Sequence, residues 1–156
     1  MKKYSKTYQL THDIDWFCII GNTPMHFASN CGLLPNKVNN KETNRRIQEQ
    51  VGLMDNVVES REHIVINREY IRARLGDNIT QGGYEDYIRS FVEMAVKGFV
   101  SFDRDLEQDD AYVWIAKPDA GAAVPIEEIP IYKESVCGLW TRRGERVHVR
   151  CLNEND

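Results

Sequence analysis

Between residues 84 and 97 the side chains of Tyr84, Tyr87, Ile88, Phe91, Val92, Met94 and Ala95 recur at three- and four-residue intervals. A helical period of about 3.6 residues gathers them on one side, while Glu85, Asp86, Arg89, Glu93 and Lys97 fall largely on the other. Acidic residues in the first turn and Lys97 in the last complement the helix dipole. Gly98 stands where a left-handed residue commonly closes a helix. Glu85 with Arg89, and Glu93 with Lys97, have the i,i+4 spacing of ion pairs. The apolar arc is wider than a two-layer seam requires, so the helix is expected to lie centrally against a sheet, with Tyr84 and Tyr87 as core anchors. Phe99, Val100 and Phe102 resume at once as a short strand that runs into an acidic loop.

The remaining segments supply that sheet. Residues 14–20 alternate Ile14, Trp16, Cys18 and Ile20 against Phe17 and Ile19, which suits a strand covered on both faces. Residues 21–24 have turn chemistry, and residues 25–28 return as the second arm of a hairpin. Asn39 and Glu42 have capping-box spacing, opening a peripheral helix that closes at Gly52. Residues 57–58 and 63–66 read as an interrupted strand. Asn67 caps a second small helix that packs Tyr70, Ile71 and Leu75 and ends at Gly76; its Arg68, Arg72 and Arg74 read as ordinary surface charge. Gly82-Gly83 reads as a joint before the main helix.

Residues 111–116 form a strand ended by Lys117-Pro118. Residues 131–136, 139–141 and 146–152 close the sheet, with a tight turn at Arg143-Gly144. Residues 1–11 read as a polar lead-in from which Tyr8 and Leu10 tuck inward. The expected fold is α+β over residues 1–156: one domain with a mixed or mainly antiparallel sheet, a central amphipathic helix and two smaller peripheral helices.

A net charge of −4 exerts no general pull on nucleic acid or anionic lipid, and neither is expected as a partner. Residues 4–15 lack the apolar centre of a secretory signal. The longest early apolar run covers only residues 16–20, where a membrane helix needs about 20 residues, so a cytoplasmic protein is expected. Cys18, Cys31, Cys137 and Cys151 form no close CxxC pair, which favours free thiols. No GxGxxG, Walker A, HExxH or GxSxG motif occurs, so neither cofactor nor metal is expected.

Three groups of residues carry chemistry. His26, Ser29 and Asn30 follow the opening hairpin: the imidazole suits proton transfer and Asn30 suits an amide or phosphate oxygen, although Ser29 and Asn30 equally suit a turn. Asp103, Arg104 and Asp105 lie where the strand enters the acidic loop. Their carboxylates could share a metal or divide acid and base roles, or simply form a solvated turn. In the C-terminal hairpin, inward Val147, Val149 and Cys151 would turn Arg146, His148 and Arg150 outward, and Arg142 and Arg143 extend this positive stripe. Guanidinium forks suit carboxylate or phosphate; a charged edge also discourages sheet aggregation.

The leading expectation is a small binding or regulatory domain that recognises an acidic protein surface through Arg142, Arg143, Arg146, His148 and Arg150. One alternative is an enzyme acting on a phosphate- or carboxylate-bearing small molecule. There His26 transfers the proton, Asp103 assists it, Arg104 clamps the anion and Asn30 helps to bind. The other alternative is a structural oligomerisation module.

Overall fold

Strand β5 (Ala111–Pro118) carries most of the sheet. The computed structural model describes residues 2–20, 23–108, 110–119, 142–143 and 146–148, with the backbone alone at residues 20, 142, 143, 146 and 148. Along one side β5 pairs antiparallel with β4 (Val100–Arg104). Along its other side it takes β7 (Arg146–His148) at residues 111–113 and β3 (Ile64–Ile66) at residues 116–118. β6 (Arg142–Arg143) pairs antiparallel with β7. Beyond β4 lie β2 (Thr23–Ala28), parallel to β4, and β1 (Asp15–Ile20), antiparallel to β2. The fold is α+β with a mixed sheet.

Strand alternation divides the core. Trp16, Cys18, Met25, Phe27, Phe102, Tyr112, Trp114 and Val147 pack on one face with Leu34 and Val38. Trp16 stacks on Phe27 at 4.1 Å, and Phe27 on Phe102 at 4.9 Å. On the other face, α4 (Gln81–Val96) lays Ile88, Phe91 and Ala95 against Ile115. Each fully buried Ile or Phe there contributes about 1.5–3 kcal/mol. α2 (Lys41–Gly52) presses Ile47 and Val51 onto Phe17 and Ile19, while the Asn44 and Gln48 amides both donate to the Asp15 carbonyl. β1 is therefore apolar on both sides because both sides are covered.

The central helix begins three residues earlier than its apolar stripe. Thr80 caps it by accepting from the Gly83 N–H at 3.0 Å, so Gly82 and Gly83 are helical and the first turn holds no acid. Gly98 has φ 106, the left-handed value that ends the helix before β4. Neither expected i,i+4 pair forms. Glu85 pairs with Arg61 at 3.0 Å, Arg89 with Asp86 at 2.7 Å, and Lys97 donates to the Val51 carbonyl. Long exposed side chains take whichever partner the packing brings near.

Other boundaries shift by similar local causes. Asn40, not the expected Asn39, caps α2, because Asn39 Oδ1 accepts from the Tyr4 N–H instead; Asn67 caps α3 (Arg68–Leu75) as expected. β5 runs on through Lys117 and Pro118, because β3 pairs with that end and proline is tolerated at a strand terminus. Residues Lys6–Thr11 form a helix, α1, capped by Ser5. Tyr8 and Leu10 remain exposed, and Gln9 is the residue that turns inward. Cys18 and Cys31 are free thiols. Cys137, Val149, Arg150, Cys151, Gly144 and the expected strands over 131–136 and 139–141 lie outside the described residues.

Gly32 is required by close approach: a Cβ there would fall 2.1 Å from Nε of Arg104. That guanidinium is held by several hydrogen bonds and cannot withdraw freely. Gly32→Ala is expected to destabilise the fold by about 1–3 kcal/mol in urea unfolding, as overpacking does. Gly52→Ala, whose Cβ meets nothing within 4 Å, is expected to be neutral or stabilising by about 0.5–1 kcal/mol in the same measurement.

Candidate functional site

The polar centre of the molecule lies at the carboxyl ends of the parallel pair β2 and β4. Three consecutive charged residues, Asp103, Arg104 and Asp105, are buried there rather than solvated. Alternation sends Asp103 to the face covered by α3 and α4. Its Oδ2 accepts from the Tyr87 hydroxyl at 2.7 Å and lies 3.1 Å from Nη2 of Arg74. Its Oδ1 accepts from the Arg104 backbone N–H. Asp105 accepts from the Tyr70 hydroxyl at 3.1 Å, and Arg74 donates to that hydroxyl and to the Arg104 carbonyl. One buried arginine thus joins both carboxylate environments.

Arg104 goes to the opposite face. Nε donates to the Ser29 carbonyl at 2.6 Å, and Nη2 to the Leu33 carbonyl and the Tyr112 hydroxyl. It is therefore a brace for residues 29–33, not a neighbour of the imidazole. Asn30 and Cys31 take positive φ values of 46 and 60 in this turn. The Asn30 N–H donates to Asp13, and the buried Ser29 hydroxyl accepts from the Ile14 N–H. Both expected turn roles are realised.

His26 stands on the same face as Asp103, but its partners are others. Nε2 lies 2.8 Å from Asp15 Oδ1 and Nδ1 lies 2.6 Å from Ser101 Oγ. Because a carboxylate only accepts, the neutral ring donates from Nε2 and accepts the serine proton at Nδ1. The connectivity is that of a nucleophilic triad. Ser101 and His26 are nonetheless 0% and 1% exposed, beneath Phe17 and Phe91. The Asp15 side chain, by contrast, is 53% exposed, so the chain of hydrogen bonds meets solvent at its carboxylate end and buries its serine. The structure brings together His26, Asp15 and Ser101, and does not bring His26, Asp103 and Arg104 into one pocket.

Burial dominates the electrostatics. It pushes the Asp103 carboxyl above its ordinary range, with Arg74, Tyr87 and the Arg104 N–H pulling it back in part. Burial opposes the charge of Arg74, but Asp103 and the Tyr87 and Tyr70 phenols hold its affinity for the proton above the ordinary value. The Tyr87 phenol is driven far up by burial and then by Asp103, and the Tyr112 phenol up to about 12, chiefly by burial. These phenols are donors at any ordinary pH. Arg74 is the residue that sequence reading misplaced on the surface. The available signal was its position three and four residues after Ile71 and Tyr70, on the inner side of α3.

A shallow groove of about 210 Å³ lies between α3 and α4, lined by Arg68, Arg72, Asp77, Gln81 and Tyr84 among others. Arg68 also donates to the Tyr84 hydroxyl at 3.4 Å. In the hairpin, Arg143 stands opposite Arg146, Arg142 opposite Val147, and His148 opposite Ala111. Among the described residues no group of three His, Cys, Asp or Glu side chains is placed to hold a metal, and no helix is long and apolar enough to cross a membrane. No family model, curated protein or solved structure matches the chain.

Removing Arg74 leaves Asp103 buried without its cation, so Arg74→Met is expected to cost about 3–5 kcal/mol at neutral pH. The raised carboxyl of the folded state binds its proton more tightly than the unfolded chain does. That favourable contribution is present in acid and lost as pH rises through the folded value. Without Arg74 the carboxyl rises further. The stability difference between Arg74→Met and the native chain, measured by urea unfolding across pH, should therefore shrink as pH falls through the Asp103 titration.

Proposed function

We propose that this chain acts as a small binding domain for an acidic protein surface, with Arg142, Arg143, Arg146, His148 and Arg150 as the recognition element. The observation that carries the reading is the register of β6 and β7, which sets Arg143 directly across from Arg146. Like charges in that position destabilise a strand pair, and a carboxylate-bearing partner offsets the repulsion. More positive charge starts close by. The Asn67 N–H donates to the Ile115 carbonyl, two residues along β5 from Val113, the partner of Arg146. That separation is about 7 Å of strand. α3 leaves the sheet at this point with Arg68 and Arg72 exposed beside the groove.

Catalysis by His26 with Asp103 and Arg104 receives less support. Both ring nitrogens of His26 already have partners, and Arg104 braces the opposite face. The engagement of His26, Asp103 and Arg104 within the fold supports a reading at the surface instead.

Binding to immobilised polyglutamate tests the reading. The native chain should bind at low ionic strength and weaken with added salt. Arg143→Ala with Arg146→Ala should weaken binding by about tenfold or more, equivalent to about 1.4 kcal/mol, with an unfolding midpoint unchanged or raised as the like-charge repulsion is removed. No binding by the native chain, or equal binding by the folded double variant, rejects the hairpin as the recognition element.

A further inference from the structure

A second surface, on the far side of the sheet order from the hairpin, has a different chemistry. Tyr4, Tyr8 and His12 form a ladder along α1: Tyr4 and Tyr8 stack at 5.3 Å with 9° between planes, and Tyr8 and His12 at 3.8 Å with 11°. Tyr8 and His12 are exposed. Lys41 Nζ lies 6.0 Å from the Tyr4 ring centre, at the inner end. Beyond His12 no further ring follows among the described residues.

The ladder is held in place before anything binds. The Tyr4 N–H donates to Asn39 Oδ1 at 2.8 Å, and Asn44 Nδ2 donates to the Tyr4 hydroxyl. His12 Nδ1 lies 3.0 Å from both the Tyr8 carbonyl and the Thr11 hydroxyl, which hold the ring with its outer face parallel to the stack. Fixed rings lose little freedom on binding, which favours them as recognition groups.

Cationic residues cluster in the backbone at the Tyr4 end. The Lys41 N–H donates to the Lys2 carbonyl, Lys3 follows in the chain, and Arg45 stands one turn after Lys41 on α2. Lys2, Lys3, Lys41 and Arg45 are all exposed. Glu42 and Asp13 are the nearest acids by sequence; Asp13 accepts from the Asn30 N–H. The net charge of −4 describes the whole chain and not this end of it.

An occupant that continues a ladder of parallel rings must be planar, and one that satisfies these cations must be anionic along its length. We infer that the α1 face binds single-stranded nucleic acid, with a base stacked on the open side of His12 and backbone phosphates against Lys2, Lys3 and Lys41. A duplex keeps its bases stacked on each other and leaves none for His12. An acidic peptide would satisfy the lysines but not the ring.

Fluorescence anisotropy of labelled oligo-dT and oligo-rU, with inorganic polyphosphate and polyglutamate as competitors, tests this. The native chain should bind the oligonucleotides at low salt. His12→Ala should weaken them by about fivefold or more, as loss of one stacking platform does, and leave polyphosphate binding unchanged. Lys2→Glu with Lys41→Glu should weaken the oligonucleotides and polyphosphate and lower the salt slope, by about 0.7 per lost phosphate contact for single strands. Arg143→Ala with Arg146→Ala should leave oligonucleotide binding intact, which separates this site from the hairpin. Absence of binding, equal affinity of His12→Ala and native chain, or loss of binding only in the hairpin variant overturns the inference. Thermal unfolding of each variant confirms that exposed His12 and Lys2 were replaced in a folded chain.

Discussion

The structure turns on three charged residues in a row that are all buried where β4 ends. Strand alternation forces Asp103 and Arg104 onto opposite faces, so each must find its own partners among different elements. Asp103 draws in Arg74 of α3 and Tyr87 of α4, and Arg104 draws in the turn after β2. A buried charge without such partners would cost several kcal/mol. Satisfying this short segment therefore fixes the positions of two helices and one loop at once.

The same network accounts for the distribution of aromatic and glycine residues around it. Tyr70, Tyr87 and Tyr112 present phenolic oxygens to charged groups while their rings remain in apolar packing. Burial raises all three phenols, so each is held in the protonated, donating form. Gly32 lets the guanidinium of Arg104 lie against the backbone. His26 is treated alike: Asp15 and Ser101 complete its two nitrogens in a layer that α4 closes. The hydrogen-bond connectivity matches that of hydrolases, but here the serine and the imidazole are buried and only the carboxylate reaches solvent. The charged groups at the end of β4 are thus held by one another and by neighbouring phenols and carbonyls.

Much of the scaffold was legible in local patterns. The spacing of Ile88, Phe91 and Ala95 identified the helix and the side it buries, and the two-faced apolar run at residues 16–19 identified a strand covered twice. Asn67 and Gly98 marked helix ends because capping and left-handed closure depend on one or two adjacent residues. Arg74 was not legible as a buried ion-pair partner. Its spacing from Ile71 and Tyr70 places it on the inner side of α3, but its partner arrives only with Asp103 from a distant strand. The Asp15–His26–Ser101 chain was missed for the same reason, as its members come from three strands. The ladder of Tyr4, Tyr8 and His12 does have a local signal, the four-residue repeat of rings, but it falls in a segment too short and polar to be read as a helix.

The amino-acid sequence by itself determined which segments turn, extend or coil, and which side of each is apolar, since these follow from backbone sterics and from side chains a few positions apart. Tertiary structure alone decided which charges are inside and which stay at the surface. That decision depends on electrostatic and hydrogen-bond energies between residues tens of positions apart, and these exist only once the sheet has set its strand order.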